Sequence, residues 1–328
     1  MELANLSVLL VWAAATALAI AMIAFAADLA RLSGVKVAER DAAREKVAAG
    51  VGASSAGGAA AREPRGVALP GDGPAGGARR GAGIGMSLSW LAAALLLVAI
   101  VLRGIAAGRT PWANMYEFTL VGTFVAVAVF LVVCLVREAR FLGAFVTGLG
   151  AVFLVLGQNA FYVAATGVQP ALQKYWLVIH VGVAITATGV FTVSFVTSVL
   201  QLLRDSRDEG APLLGRWGWL DHTPVPAALE ALSFRLNAVG FVLWTFTIIG
   251  GAIWAEDAWG RYWGWDPKEV WSFVIWVVYA AYLHARTTRG WAGRRAAWFV
   301  VVGYACVLFN FTGVNMVFEG LHSYSGLE

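Results

Sequence analysis

Long apolar runs separated by short polar connections are the main pattern along the chain. A helix that crosses the hydrocarbon core of a bilayer needs about 20 consecutive apolar residues. These runs lack the alternation of apolar and polar positions that strands of a membrane barrel show, so the pattern predicts helices. We therefore expect an all-α integral membrane protein with about eight transmembrane helices, the seventh being the shortest. The eight runs lie at about 4–27, 87–106, 116–136, 141–163, 176–201, 236–255, 270–286 and 297–317.

Composition supports this fold class. Of 328 residues, 59% are hydrophobic and 13% are charged, whereas a soluble domain carries about 25% charged residues. The two cysteines have no CxxC spacing, so neither a disulfide framework nor a zinc site is expected. The first apolar run has no basic segment before it and is too long for a signal peptide, so we interpret it as a spanning helix.

The distribution of Lys and Arg predicts the orientation, because cytoplasmic loops of membrane proteins carry an excess of both. With an extracytoplasmic N-terminus, most of the 24 Lys and Arg residues fall in internal segments. An even number of helices then places the C-terminus outside as well. The net charge of +4 therefore reflects topology in a cell membrane and gives no argument for nucleic acid binding. The few external cations are Arg103, Arg109, Lys174, Arg261 and Lys268.

Residues 36–85 differ from the rest of the chain, because Ala, Gly, Arg and Pro dominate and large apolar side chains are almost absent. Such a segment buries too little surface to offset the entropy of ordering it. The composition therefore predicts a flexible cytoplasmic linker. It would join a first transmembrane helix, within residues 1–35, to a seven-helix core at residues 86–328.

The stretch AEDAWGRYWGWDPKEVW, residues 255–271, connects the sixth and seventh runs on the predicted external side. Tryptophans at membrane interfaces explain isolated indoles, but they do not explain this density. A cluster of indoles offers flat apolar faces and N–H donors, which suit a large planar ligand. The tryptophans in and beside this loop are Trp254, Trp259, Trp263, Trp265 and Trp271.

The last part of this loop also predicts a helix start. In WDPKE, Asp266 stands where an N-cap is expected, Pro267 at the first helical position and Glu269 at the third. This is an Asp version of the capping box. We therefore expect Asp266 to cap the seventh helix, and the ligand-binding hypothesis rests chiefly on Trp259, Trp263 and Trp265.

Four histidines occur in the chain, at positions 180, 222, 284 and 322. His180 is about 6 Å below the outer end of the fifth helix, and His322 follows the eighth helix, so the two can meet at one external site. His284 is about 20 Å deeper than Trp271. An ionisable group at that depth predicts either function or a hydrogen bond to a neighbouring helix. His222 falls in a cytoplasmic loop, where a structural role is expected.

Two imidazoles beside a wall of tryptophans suit heme, whose iron has two axial positions and whose macrocycle packs on apolar surfaces. A mononuclear zinc or copper site calls for three or four convergent ligands. The external side offers no third histidine and no cysteine. The pattern therefore favours heme over a single metal ion.

Five separated motifs resemble one family. WGRYWGWDPKEVW is similar to the tryptophan-rich WWD signature of the heme-handling proteins of cytochrome c maturation. QKYWLVIHVGVAI around His180, YLHARTTRGW around His284 and GVNMVFEGLHSYS around His322 resemble the CcsA/ResC branch of the System II pathway, also called CcsB in some bacteria. PWANMYEF in the first external loop resembles it too. The likeness covers residues from about 86 to 328.

The resemblance implies that His180 and His322 are external axial ligands of heme beside the WWD loop. It implies that His284 ligates heme within the membrane, where a separate CcsB/ResB-type partner supplies the second ligand. The implied function is delivery of heme b across the cell membrane and its presentation to the reduced CxxCH motif of apocytochrome c. The chain would then be the membrane subunit of a cytochrome c synthase, a heme lyase that forms thioether bonds, with thioredoxin-like reductants as further partners.

Two other classes of function fit parts of the same pattern. A permease for an amphipathic aromatic solute would use the histidines to relay protons and the loop as a gate. A heme-based electron-transfer subunit would carry pairs of histidines inside the bundle. No side chain in the sequence is an evident general acid or base, so no catalytic residue is predicted.

Overall fold

The structure is a computed structural model that describes residues 2–53, 80–165 and 175–322, without the side chains of residues 34–53. Within these ranges the chain is helical and contains no strand, which confirms the predicted all-α fold class. The helices are α1 (Glu2–Ala53), α2 (Arg80–Ala107), α3 (Met115–Val136), α4 (Gly143–Ala160), α5 (Tyr175–Asp208), α6 (Pro226–Trp259), α7 (Pro267–Thr288), α8 (Arg294–Phe311) and α9 (Gly313–Val317).

Among the described helices, all except α7 and the short α9 are long and apolar enough to cross a membrane. These seven helices support a multi-pass membrane protein. The sequence predicted eight spanning helices, and the one that is missing from these seven is α7. This helix lies at the predicted position and has 22 residues. Charged side chains at its ends, Lys268, Glu269 and Arg286, leave a shorter apolar stretch in which Trp and Tyr take several positions.

The predicted linker at residues 36–85 begins and ends inside helices. α1 continues through Ala53 and α2 begins at Arg80, whereas residues 54–79 lie outside the described ranges. The extension of α1 has a simple cause, because VKVAERDAAREKVAA is rich in Ala, Arg, Glu and Lys, which have high helix propensity. The division of the chain into first helix, linker and core stays a prediction.

Two apolar clusters hold the bundle together. α1 packs along α2 and α4, and residues of α1 to α5 share one core that includes Phe25, Leu96 and Phe130. A second cluster joins α5, α6, α7 and α8. In it, the rings of Phe191 and Tyr279 stack with centroids 4.0 Å apart. α5 contributes to both clusters and therefore connects the two halves of the bundle.

Four helix termini meet at one end of this bundle. α6 ends at Trp259 and α8 at Phe311, whereas α5 begins at Tyr175 and α7 at Pro267. α5 packs against both α6 and α8, and α7 packs against α6, α8 and α9. The tryptophan-rich loop and two of the four histidines therefore lie at the same end.

Candidate functional site

A cavity of about 190 Å³ lies where α5 and α7 begin and where α6 and α8 end. Side chains from α3 and from the tryptophan-rich loop complete its wall. Most of the lining is apolar or aromatic, and a few polar groups face it. The lining residues that matter for the chemistry of the cavity are His180, His322, Trp254, Trp263 and Lys268.

His180 is on the second turn of α5 and is fixed by the neighbouring helix. Its Nδ1 lies 2.9 Å from the carbonyl oxygen of Thr247 on α6. Because a carbonyl only accepts, Nδ1 carries the proton and Nε2 keeps its lone pair. This arrangement is typical of a ligating histidine, whose other ring nitrogen donates to a carbonyl or carboxylate. His180 can therefore bind a metal through Nε2.

His322 follows α9 and is held by the loop on the other side of the cavity. Its Nδ1 lies 2.8 Å from Oδ1 of Asp266. The second oxygen of that carboxylate accepts a hydrogen bond from the backbone N–H of Leu321, at 2.7 Å. The carboxylate of Asp266 thus joins the segment after α9 to the tryptophan-rich loop. Nε2 of His322 remains available for a ligand.

Asp266 has two structural functions at once. It caps α7, since its side chain accepts from the N–H of Lys268 at 3.0 Å, and Glu269 Oε2 completes the capping box on the N–H of Asp266. The predicted helix start is therefore confirmed, and the contact with His322 is an addition to it. Burial would raise the pKa of Asp266, but the hydrogen bond from His322 and those from the backbone N–H groups of Lys268 and Leu321 hold it below its ordinary value. The carboxylate is therefore charged at neutral pH.

Trp254 is an indole that contacts both histidines. It is 1% exposed, and its ring stacks on His180 at 6.3 Å with an interplanar angle of 5°. The ring of His322 lies 5.8 Å from it, at an interplanar angle of 54°. Trp259 packs edge-on against Trp254 at 4.7 Å and against His322 at 4.9 Å. These two indoles hold the two imidazoles at one place.

The other tryptophans of the loop lie farther out. Trp263 lines the cavity, and Trp265 packs edge-on against it at 5.9 Å while remaining 75% exposed. Trp265 adopts a left-handed φ of 59°, a conformation that costs a bulky residue roughly 1–2 kcal/mol. Trp271 packs on Phe309, with ring centroids 4.4 Å apart. Of the five indoles, Trp254 and Trp263 therefore line the cavity, and Trp259 packs against Trp254.

His284 does not reach this cavity. It is exposed on α7, whose buried residues are Ile275, Tyr279 and Tyr282. His222 is at the end of a short 3₁₀ helix, Gly218–His222. Across residues 2–53, 80–165 and 175–322, no group of three or more His, Cys, Asp or Glu side chains is arranged to hold a metal ion. The two histidines at the cavity would therefore act as a pair.

Three residues of the site were not predicted from the sequence. Thr247 contributes a backbone carbonyl, which any residue could supply. Gly251 makes room for His180, because a Cβ there would lie 2.7 Å from its Cε1 atom. Lys268 lines the cavity, and its place among the few cations that were predicted to be external is the one hint that the sequence contained.

Comparison with known proteins places the chain in a family. Residues 88–322 match the family described as Cytochrome C assembly protein. The chain is 34% identical over 241 residues to the cytochrome c biogenesis protein CcsA of Chlamydomonas reinhardtii, a match that spans 70% of this chain and 65% of that protein. It is 36% identical over 267 residues to CcsA of Parasynechococcus marenigrum, spanning 74% of this chain and 86% of that one.

A solved structure shows the same fold. The chain superposes on a structure titled Cytochrome c Heme Lyase CcmF with a TM-score of 0.59 and 17% sequence identity. The match covers 99% of this chain and 50% of that one. The chain thus spans half the length of this structural relative and about two thirds of the algal one, and the likeness to the solved structure concerns the fold.

Proposed function

Because the chain belongs to the Cytochrome C assembly protein family, we propose that it acts in cytochrome c maturation by binding heme b in the outer cavity. His180 and His322 would supply the two axial ligands, and Trp254 and Trp263 would pack against the macrocycle. Heme is here the substrate that is delivered, and not a resident cofactor. The cavity would open to the extracytoplasmic side of the cell membrane, where apocytochrome c is matured.

One observation carries this proposal. Both histidines that border the cavity have Nδ1 engaged by an acceptor, a carbonyl for His180 and a carboxylate for His322. Each is therefore held in the tautomer and orientation that leave Nε2 free to bind iron. The pair suits an iron with two axial positions, and it provides too few ligands for an isolated zinc or copper ion.

The chemistry of attachment needs positioning more than proton transfer by this chain. Each thiol of a reduced CxxCH motif adds across one vinyl group, with sulfur bonding to one carbon and the proton going to the other. No atom leaves, so the reaction needs no oxidant. The side chains of this chain would fix the ring, exclude water and keep the reacting edge accessible, and such positioning can supply much of a rate. The histidine of the CxxCH motif would then displace one of the two axial ligands.

His284 belongs to a separate step in this proposal. Its exposed side chain on α7 lies on the surface of the bundle and not in the outer cavity. A ligand site there would need a second group from another chain, a CcsB/ResB-type membrane partner. We propose that heme is first bound at His284 and the partner and then passes to the outer cavity. Thioredoxin-like proteins would keep the thiols of the apocytochrome reduced.

A maturation assay tests the proposed function. The chain and a CcsB/ResB-type partner are produced in a bacterium that lacks its own cytochrome c maturation proteins, together with a c-type apocytochrome. We expect covalent heme on the cytochrome, detected by heme staining after denaturing electrophoresis. If both membrane chains accumulate and no heme becomes attached, the proposal is wrong. Uptake of an aromatic solute by the same cells would instead favour a permease.

Gly251→Ala is expected to lower heme affinity roughly tenfold or more, as when a ligating histidine loses its orienting hydrogen bond. The added Cβ would lie 2.7 Å from Cε1 and 3.1 Å from Nδ1 of His180, so the ring must move away from the Thr247 carbonyl. The measurement is titration of the purified chain with heme, followed by absorption spectroscopy.

Gly250→Ala is the matched control for this prediction. Its Cβ would approach His180 no closer than 3.8 Å, which is ordinary van der Waals contact. Both substitutions raise the intrinsic helix propensity of α6 equally, so the difference between them isolates the clash with the imidazole. Equal heme affinity of the two variants would contradict the assignment of His180.

A further inference from the structure

Lys268 brings its amino group to the cavity, and no carboxylate among the described residues pairs with it. Burial lowers the pKa of this amine to about 7, and an acidic ligand would hold it in the charged form. Its Nζ donates to the carbonyl of Asn310 at 2.8 Å and to Oδ1 of Asn315 at 3.0 Å. Both acceptors are neutral. In the part of the chain that the structure describes, Lys268 forms no ion pair within 4.0 Å. An ammonium group has three donors, so one remains for another acceptor.

The neighbouring carboxylates are engaged elsewhere. Asp266 binds the ring of His322 and the backbone N–H groups of Lys268 and Leu321. Glu269 accepts from the N–H groups of Gly264 and Asp266 through its Oε2 atom. A charge that is partly removed from water is stabilised by an opposite charge or by strong hydrogen bonds. The site therefore favours a ligand that brings an acidic group.

The position of the ammonium is fixed rather than flexible. Asn310 is on α8 and Asn315 on α9, so acceptors from two helices hold Nζ at the cavity. Trp112, which also lines the cavity, has an indole N–H with no partner among the described residues. The cavity thus combines two imidazoles, aromatic walls and a cation with a spare donor.

We propose that Lys268 binds a carboxylate of the ligand and so selects a flat metal macrocycle that carries free acid groups on its edge. The inference rests on the proposed function, because it concerns the orientation of heme within the same cavity. Two axial ligands leave the ring free to rotate about the axis that joins them. An ion pair to a propionate at the edge removes this freedom and determines which edge faces the opening. Lys268 is thereby a binding residue that sets the orientation of the substrate.

The test compares heme with its dimethyl ester, in which both propionates are esterified and uncharged. Both compounds are titrated into the full-length purified chain, and the low-spin absorption of the outer site is followed. For the wild type we expect tighter binding of the free acid. For Lys268→Gln we expect the affinity for the free acid to fall about tenfold, as for the loss of a charge-assisted hydrogen bond, and the affinity for the ester to stay within twofold. Lys268→Arg should retain the preference for the acid.

Arg261→Gln is the matched control, because it removes one cation from the same loop and Arg261 is exposed and outside the lining of the cavity. It should leave the ratio of the two affinities unchanged. The inference is overturned if Lys268→Gln weakens acid and ester equally, or if Arg261→Gln has the same effect as Lys268→Gln. If the wild type binds neither compound with low-spin absorption, the proposed function fails as a whole, which is a different outcome.

Discussion

Cells whose only copy of the chain carries His322→Ala are expected to make no detectable holocytochrome c, and His180→Ala is expected to have the same effect. Each histidine would supply one of two axial ligands, and the described cavity lining contains no further histidine or cysteine that could replace it. Loss of a direct ligand should cost more than the roughly 10- to 100-fold that removal of a supporting group costs. Heme staining of the c-type cytochromes measures the effect.

His222→Ala is the control for these two substitutions. His222 is at the end of Gly218–His222, a 3₁₀ helix outside the cavity, so holocytochrome c should form at the wild-type level. In the His322→Ala cells, heme should remain bound to the membrane complex through His284. Such accumulation would indicate that delivery of heme is blocked. It would not be expected if the chain were an electron-transfer subunit. A wild-type level of holocytochrome c in His322→Ala cells would contradict the assignment of His322 as an axial ligand of heme.

Asp266→Asn is expected to lower heme affinity by about 10- to 100-fold, the usual cost of losing a group that orients a metal ligand. The carboxylate accepts from Nδ1 of His322 at 2.8 Å, and a neutral amide is a weaker acceptor for that N–H. Asparagine is as good an N-cap as aspartate, so α7 should still start at the same residue. Affinity should therefore fall without a large change in thermal unfolding, which circular dichroism of the same samples would measure.

Glu269→Gln provides the comparison. Glu269 completes the capping box on the N–H of Asp266, at 3.0 Å, and has no hydrogen bond to a histidine. Its substitution should reduce stability by about 1 kcal/mol, as for other caps, and should change heme affinity much less than Asp266→Asn does. If the two variants lose equal affinity, the integrity of the loop matters and the contact between Asp266 and His322 does not.

Helical geometry was enough to predict the end of the bundle at which the site lies. The rise of 1.5 Å per residue placed His180 near the outer end of its helix, and the structure brings it to the same cavity as His322. The capping box in WDPKE was equally predictable, because caps depend on neighbouring residues along the chain. Local rules therefore gave the start of α7 and the place of His180 near the start of α5.

Contacts between distant segments could not be predicted in this way. Asp266 and His322 are 56 positions apart in the chain, and the sequence gives no signal that a capping carboxylate also binds a ring. The ranking of the tryptophans was equally out of reach, since the left-handed φ of Trp265 directs its indole outward. Trp254, which contacts both histidines, is on the last turns of α6 and had no local feature to distinguish it.

The most direct test of the central claim is the electron paramagnetic resonance spectrum of ferric heme in the purified full-length chain. The measurement uses a His284→Ala background, so that the outer site alone contributes. We predict a low-spin spectrum of iron with two imidazole ligands. Replacing either His180 or His322 by glycine should convert it to a high-spin spectrum, and added imidazole should restore the low-spin form. A low-spin spectrum that persists in both glycine variants without imidazole would contradict the account.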